Sequence, residues 1–373
     1  MHRRAPHARQ KDRATVYIGE QLISPTEARL RLSAQFGAQA IVIDSRPNKA
    51  VLGDDGFWDG RKVATHKRWI EGFGMKLEVM ALDIGSILLD SLYAPERAAS
   101  RAAELRRNIE AAAAGGVDCL KFALAMVGIT RTAVVEGRGG VQCSAFRAAD
   151  YTPEGDKAFS YWGVGHMGGG KPGSDAPAID LASPEAGGQV PAGQTRGVSR
   201  EQGWQAITHL LEQILPTAER EGVRLAIHPQ DPAYPPEGLN GVHHVVGSLA
   251  GMRRLLAFAP ESRSLGFNFC QGTVAEMATD PNAAVLEAIR EFGPQGKIFM
   301  VHFRNILGGY LDFRECFPDE GTLDMAACLR AYRDAGYRGI LCPDHVPLSD
   351  LDVGRERFFG FALGYTRGLL AAL

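Results

Sequence analysis

Four residues with metal-binding side chains lie at the ends of four successive apolar segments in the second half of the chain. They are His228 in AIHPQDP, Cys270 in FNFCQG, His302 in MVHFRN and Asp344 in LCPDHVP. Each segment reads as a buried strand, and neighbouring strands lie about 4.8 Å apart, so the four side chains can converge on one ion. Each residue alone has an ordinary structural interpretation, but four on successive strands predict a metal site.

The ligand atoms of this set limit the choice of metal ion. Two imidazoles, one thiolate and one carboxylate suit Mn²⁺, Fe²⁺, Co²⁺ or Zn²⁺ better than Mg²⁺ or Ca²⁺. A closed set of four protein ligands is typical of a structural zinc site. At the mouth of a barrel we instead expect coordination positions left for substrate oxygens. Gln271 and Gly272 are then predicted to form a turn that leaves the strand without crowding the ion.

The segments that must position these residues alternate with amphipathic stretches along almost the whole chain. The stretches carry apolar residues three and four positions apart, as helices do, and several end at glycine. Eight strand–helix units predict an α/β fold, a (β/α)8 TIM barrel, and no GxGxxG motif follows the first strand to favour a doubly wound sheet. The predicted strands are residues 16–20, 40–44, 76–82, 119–124, 223–228, 265–269, 298–303 and 339–343.

One strand–helix unit is interrupted by a long segment. We expect residues 1–14 to be a flexible tail and residues 15–373 a single barrel, in which residues 125–198 are an insertion rich in glycine and proline. Loops of this length are usually functional lids or disordered segments. An insertion after a barrel strand lies over the face that carries the chemistry in such barrels, so we predict a lid rather than a linker. Alternation in TAVVEGRGGVQCSAF predicts a hairpin within it. Whether Trp162 and His166 of this lid reach their own site or that of a neighbouring subunit stays open.

The composition excludes several classes of protein. The 373 residues carry a net charge of −2, which gives no reason to expect a nucleic acid or an anionic membrane as partner. No apolar run is long enough to span a bilayer, and the basic start lacks the apolar segment of a secretory signal. Six cysteines form no CxxC pair, as in a reduced, cytoplasmic protein.

From Val223 onward the chain resembles the mannonate dehydratase family, metal-dependent lyases with a xylose-isomerase-like barrel. The resemblance rests on IHPQDP, GFNFCQGT, IREFG, VHFRNI, DEGTLDM, PDH and GFALGYTRGLL, in this order. It implies that the four residues named above hold Mn²⁺. It also implies the conversion of a small sugar acid, D-mannonate, to 2-keto-3-deoxygluconate, by removal of the proton α to the carboxylate and loss of the β-hydroxyl. Barrels of this class commonly form homo-oligomers, which we expect here.

Two further residues are candidates for catalysis within this resemblance. His345 follows Asp344 and is our candidate general acid/base, with a neutral imidazole available near pH 7. Arg304 follows His302 by two positions and could clamp a substrate carboxylate with its planar guanidinium, or else anchor a loop.

The chain also departs from the family pattern. The acidic pair expected after His-Pro is Gln230-Asp231, an expected arginine is Cys342, an expected glycine is Val346, and an expected tyrosine is Phe361. The histidine expected within FRECFPDEG is replaced. The metal ligands therefore match the family better than the positions that orient substrate or move protons, and a related aldonate is an alternative substrate.

Two other functions remain open at this point. A metal-dependent sugar isomerase or epimerase of the same barrel class also removes a proton beside a metal-bound oxygen. Such enzymes typically use glutamate-rich ligand sets, which Cys270 argues against, although Glu136 and Glu315 could supply carboxylates. A non-catalytic sugar-binding barrel that has kept the ion is the other alternative.

Overall fold

The computed structural model describes residues 16–44, 48–124, 126, 129–151, 198–239 and 241–373. Within these residues the strands predicted from the sequence are all present, and eight parallel strands close into a barrel in chain order, β1–β2–β3–β4–β7–β8–β9–β12. The predicted (β/α)8 barrel is thus confirmed. The strands of the described chain are β1 (Tyr17–Leu22), β2 (Ala40–Ile43), β3 (Lys76–Ala81), β4 (Cys119–Ala123), β5 (Ala133–Glu136), β6 (Gln142–Arg147), β7 (Arg224–His228), β8 (Leu265–Cys270), β9 (Ile298–His302), β10 (Ile306–Gly309), β11 (Asp312–Glu315) and β12 (Ile340–Cys342).

Capping residues mark both ends of the long helix α5. The Ser199 side chain caps α5 together with Gln202, and Gly222 ends that helix in the left-handed conformation that glycine adopts most readily. No helix among the described residues is long and apolar enough to cross a membrane. The helices are α1 (Glu27–Gln35), α2 (Gly60–Glu71), α3 (Ile87–Tyr93), α4 (Pro95–Ala114), α5 (Arg200–Glu221), α6 (Leu249–Leu256), α7 (Gln271–Ala275), α8 (Pro281–Phe292), α9 (Met325–Asp334) and α10 (Glu356–Ala372).

A second, four-stranded antiparallel sheet is formed by segments that follow the carboxyl ends of β4 and β9. The predicted hairpin is confirmed as β5–β6, and it pairs with the β10–β11 hairpin that follows β9, in the order β10–β11–β6–β5. Phe146 and Phe313 lie opposite each other in neighbouring strands, with ring centroids 6.0 Å apart. Two segments inserted after different barrel strands therefore fold into one unit.

Parts of the predicted domain organisation lie outside the described residues. These are the tail at residues 1–14, residues 152–197 of the insertion, and with them Trp162 and His166. The lid therefore stays a prediction.

The interior of the barrel combines a small apolar cluster with a few buried polar side chains. The apolar members come from both halves of the chain and include Ala40, Val42, Val79, Ala226, Met300 and Cys342. Gln21, Lys121 and Asn268 are buried in strands of the same barrel. Buried polar groups require partners, and theirs lead to the strand ends that carry the predicted ligands.

Candidate metal centre

The four predicted metal ligands converge at the carboxyl ends of the barrel strands. His228, Cys270 and His302 are the last residues of the neighbouring strands β7, β8 and β9. Asp344 follows β12, whose last residue pairs with His302. One potential ligand atom from each residue lies within 4.8 Å of the others, and all four residues are buried. The fold therefore brings together the whole set that was expected from the strand ends.

The orientation of the side chains fits a transition-metal ion. The Nδ1 atom of His228 lies 2.6 Å from the carbonyl oxygen of Pro229, and donation to that oxygen leaves the lone pair of the ring on Nε2. The Nδ1 atom of His302 lies 3.2 Å from Oδ2 of Asp344. The Cys270 sulfur lies 3.9 Å from that same oxygen. Two nitrogens, one sulfur and one oxygen this close together form a mixed ligand set of borderline softness.

Electrostatics favours the protonation states that such an ion requires. Burial lowers the pKa of His228 to about 4, so its ring is neutral at pH 7. Burial opposes ionisation of Cys270, but the charge of Arg304 and a hydrogen bond with His302 outweigh it and lower the thiol pKa. Burial likewise opposes ionisation of Asp344, whose pKa nevertheless falls well below its ordinary value because His302 and His345 lie beside it. Metal ligands must be deprotonated to bind, and the pKa shifts of these three residues all lie in the direction that favours the deprotonated form.

The predicted turn at Gln271 and Gly272 is wrong, because helix α7 begins there. The Cys270 sulfur caps this helix by accepting hydrogen bonds from the backbone N–H of Thr273 at 3.4 Å and from its hydroxyl at 3.2 Å. Nε of Arg304 donates to the same sulfur at 3.3 Å. A Cβ atom at position 272 would lie 2.7 Å from three atoms of Arg304, so glycine is required for that side chain to reach the sulfur.

Arg304 lies at the centre of a buried cluster of charges. Its guanidinium contacts Asp231 at 2.9 Å, Glu276 at 2.8 Å and Glu315 at 2.9 Å. Arg131 contacts Asp231 at 2.6 Å and Glu315 at 2.8 Å. All three guanidinium nitrogens of Arg304 therefore have protein partners. This arrangement supports the anchoring alternative, and a substrate clamp would require Arg304 to leave one of them.

The carboxylates of this cluster differ in their tendency to ionise. Burial opposes every charge, but the two arginines hold the pKa of Asp231 far below its usual range, and Arg304 and His345 lower that of Glu315 to about 2. The pKa of Glu276 is instead raised well above its ordinary value, by burial and then by the charge of Asp231. Two cations thus stabilise two of the three buried carboxylates as anions.

His345 lies between the predicted metal ligands and the charged cluster. Its Nδ1 is 2.8 Å from Oε1 of Glu315, and its Nε2 is 3.4 Å from Oδ2 of Asp344. Burial disfavours the charged ring, but the negative charges of Asp344 and Glu315 outweigh burial and raise its pKa. The sequence led us to expect a neutral imidazole near pH 7, and the two carboxylates shift the ring from that state toward the imidazolium.

The residues that depart from the family pattern differ in their burial and contacts. Cys342 is fully buried inside the barrel, with its sulfur 3.6 Å from the carbonyl oxygen of Pro343, and Val346 is buried. Phe361 is 42% exposed on α10, where its ring contacts Phe317. Glu136 is exposed on β5, and Glu315 pairs with the arginines, so neither belongs to the set of four convergent ligands.

Several residues of this region escaped the sequence analysis. Arg131 and Glu276 stand in no recognisable motif, and each contacts a partner that is distant along the chain. Thr273 lies in the GFNFCQGT motif, but the motif did not indicate that its hydroxyl donates to Cys270. Glu276 could have been found as the one acidic residue in the apolar stretch that follows Cys270.

The low pKa of His228 predicts a pH-dependent stability for the metal-free protein. The unfolded chain takes up a proton near pH 6.5 and the folded protein only near pH 4, so the free energy of unfolding rises with pH across this window. The full difference is about 3 kcal/mol. The free energy of unfolding is measured by urea titration at a series of pH values. Between pH 4 and 6.5 it should rise less steeply with pH in His228→Gln than in the wild type. Equal slopes would contradict the prediction.

Comparison with known proteins adds an independent result. The family model for D-mannonate dehydratase (UxuA) matches residues 30–363. Mannonate dehydratase 2 of Halalkalibacterium halodurans is 35% identical over 175 residues, which cover 45% of this chain and 48% of the relative. The mannonate dehydratase of Enterococcus faecalis is 34% identical over 40% of each chain. The aligned part thus spans half or less of the length of these relatives.

Solved structures extend the likeness over the whole fold. The crystal structure of mannonate dehydratase from Streptococcus suis serotype 2 superimposes with a TM-score of 0.71, covering 96% of this chain and 94% of that one at 21% identity. A xylose isomerase domain protein from Planctomyces limnophilus gives a TM-score of 0.52, with 97% and 99% coverage at 13% identity. The structures support the barrel class, and because the family model covers most of the sequence, the chain belongs to the D-mannonate dehydratase family.

Proposed function

We propose that this protein is a metal-dependent sugar-acid dehydratase that converts D-mannonate, or a closely related aldonate, to the 2-keto-3-deoxy acid. The convergence of His228, Cys270, His302 and Asp344 at the mouth of the barrel carries this proposal, in a chain of this family. The alternative isomerase and sugar-binding functions share the fold but have no specific observation in their favour.

The four convergent residues would hold one divalent ion, for which we propose Mn²⁺, with Fe²⁺, Co²⁺ and Zn²⁺ as alternatives. When bound, the ion supplies Lewis acidity and a template for substrate oxygens. The site mixes nitrogen, sulfur and oxygen ligands, and such a set does not by itself distinguish between these ions.

His345 is the proposed general acid/base. Glu315 holds its Nδ1, so Nε2 is the nitrogen available to exchange a proton beside the metal ligands. As an imidazole it would take the proton α to the carboxylate, and as an imidazolium it would give a proton to the departing β-hydroxyl, which leaves as water when its C–O bond breaks. The side chain is 12% exposed, more than those of Asp344 and Glu315 beside it, which suits a group that must meet substrate.

Arg304 is proposed as a positioning residue for Cys270. Its Nε donates to the sulfur, and Asp231, Glu276 and Glu315 fix the guanidinium. The other candidate role of Arg304 is direct contact with the substrate carboxylate, and this stays a prediction. Mutation of Arg304 that raised the KM for the sugar acid without lowering kcat would support it.

The protein is proposed to act in the cytoplasm on a small sugar acid. All six cysteines lie among the described residues as free thiols, which supports a reducing compartment. Assembly into a homo-oligomer stays a prediction.

Activity with a panel of aldonic acids tests the proposed reaction. The purified protein with Mn²⁺ should release a 2-keto-3-deoxy acid from D-mannonate or from another C5 or C6 aldonic acid, detected by a colorimetric assay for such acids. Formation of an isomer without loss of water would favour the isomerase alternative. Binding of the acids without turnover would favour the non-catalytic barrel.

Removal of the thiolate tests the metal centre separately from activity. Cys270→Ser should lower the bound Mn²⁺ by at least about tenfold after dialysis, measured by elemental analysis, because serine is a poor ligand at neutral pH. Cys328→Ser is the matched control, since Cys328 is equally buried but lies in α9. Equal metal content in the two variants would remove Cys270 from the ligand set.

Substitution of His345 tests its role as general acid/base. His345→Gln should keep the bound metal while turnover falls by about 100-fold or more, the usual contribution of a positioned proton donor. The ratio of metal to protein is measured in the same sample as the rate. Wild-type turnover in this variant would assign the proton transfer to another group.

A further inference from the structure

The geometry points to Gln21 as the positioning residue that decides which nitrogen of His302 binds the ion. This inference rests on the proposed metal centre and goes beyond its ligand set. It assigns Nδ1 as the metal-binding atom of His302, and it gives a function to a polar chain of side chains inside the barrel, Asp44–Lys121–Gln21.

The two nitrogens of the His302 ring face different parts of the barrel. Its Nδ1 faces the other ligands, 3.2 Å from Oδ2 of Asp344. Its Nε2 faces back into the barrel, 3.1 Å from Oε1 of Gln21 and 3.2 Å from Nδ2 of Asn268. A neutral imidazole carries one proton, so Nδ1 is free to bind the ion only when that proton is on Nε2.

The two amides at Nε2 favour opposite tautomers. The Gln21 oxygen accepts a proton and so favours Nε2–H, whereas the Asn268 amide nitrogen donates one and favours the lone pair there. With the second tautomer, Nδ1–H would point at Asp344 and the ring would lose its place among the ligands. The orientation of each amide therefore determines whether His302 is ready to bind.

Gln21 is held in one orientation by the charges beside it. Its Oε1 accepts a hydrogen bond from Nζ of Lys121, and its Nε2 donates to Oδ1 of Asp344 at 3.4 Å. An ammonium only donates and a carboxylate only accepts, so the amide cannot be reversed without losing both contacts. Lys121 is itself anchored by Asp44 at 2.9 Å.

Asn268 is less constrained. Its Oδ1 has no hydrogen-bond partner among the described residues, so no contact found there prevents the amide from rotating to present oxygen to Nε2–H. Gln21 then determines the tautomer, and Asn268 follows it.

The consequence is a defined pair of metal-binding atoms. His228 donates Nδ1–H to Pro229 and would bind the ion through Nε2, whereas His302 would bind through Nδ1. Gln21 also contacts Asp344, so one amide orients two of the four proposed ligands. Residues of this kind commonly change metal affinity by about 10- to 100-fold when removed.

Nuclear magnetic resonance of the Zn²⁺-loaded protein tests the assignment directly. Long-range proton–nitrogen spectra of protein labelled with ¹⁵N-histidine should show His302, identified by the loss of its signals in His302→Gln, with a proton on Nε2 and the metal on Nδ1.

Gln21→Met should weaken Zn²⁺ binding about 10- to 100-fold in competition with a chelator. Asn268→Leu is the matched control, because it removes the other amide at the same nitrogen, and it should keep wild-type affinity.

The outcomes separate this inference from the metal centre on which it rests. Binding of the metal to Nε2 of His302 would overturn the role of Gln21. Equal losses of affinity in Gln21→Met and Asn268→Leu would do the same, provided that both variants show wild-type thermal unfolding. Neither result would contradict the metal centre itself. Failure of the wild type to bind Zn²⁺, Mn²⁺ or Co²⁺ would overturn both proposals.

Discussion

The contact between Arg304 and the Cys270 sulfur is the interaction on which the rest of the carboxyl-end face of the barrel depends. A thiolate and a carboxylate that are buried side by side repel each other, and removing each from water costs several kcal/mol unless a cation is nearby. Arg304 supplies that cation, at 3.3 Å from the sulfur and 3.4 Å from Asp344. Its own charge is stabilised by carboxylates from three other segments, so the proposed acidic ligands and the surrounding loops are coupled through one side chain.

The small antiparallel sheet extends this coupling beyond the barrel. Glu315 ends β11, and Arg131 precedes β5, so the two inserted hairpins each contribute one charge to the cluster. Glu315 also holds Nδ1 of His345. The proposed proton donor is therefore oriented by the inserted sheet, whereas the proposed ligands are oriented by the barrel. Loop insertions in this fold can thus alter proton transfer without disturbing metal binding.

The sequence predicted the barrel and its convergent ligands because both follow from local patterns. Strand ends are visible as apolar runs, and neighbouring parallel strands place their ends together. The supporting contacts are not local: Gln21 lies 323 residues from Asp344, and Arg131 lies 184 residues from Glu315. The turn expected at Gln271 and Gly272 was wrong for a related reason, since sulfur seldom caps a helix, and nothing in Cys-Gln-Gly-Thr indicates that Thr273 donates to it.

The two halves of the chain contribute different parts of the site: the second half supplies the proposed ligands, and the first half supplies the side chains that orient them. The proposed ligands come from β7, β8, β9 and the segment after β12, all in the second half, where the family motifs were recognised. The polar chain beneath them comes from β1, β4 and the residue after β2, all of which precede the recognised motifs in the sequence. A ligand set tolerates few substitutions, because each ligand must supply a particular donor atom, whereas an orienting contact requires only a group of suitable polarity at the right place. Divergence in the first half is therefore expected to alter metal affinity and the orientation of the ligands while the ligands themselves stay the same.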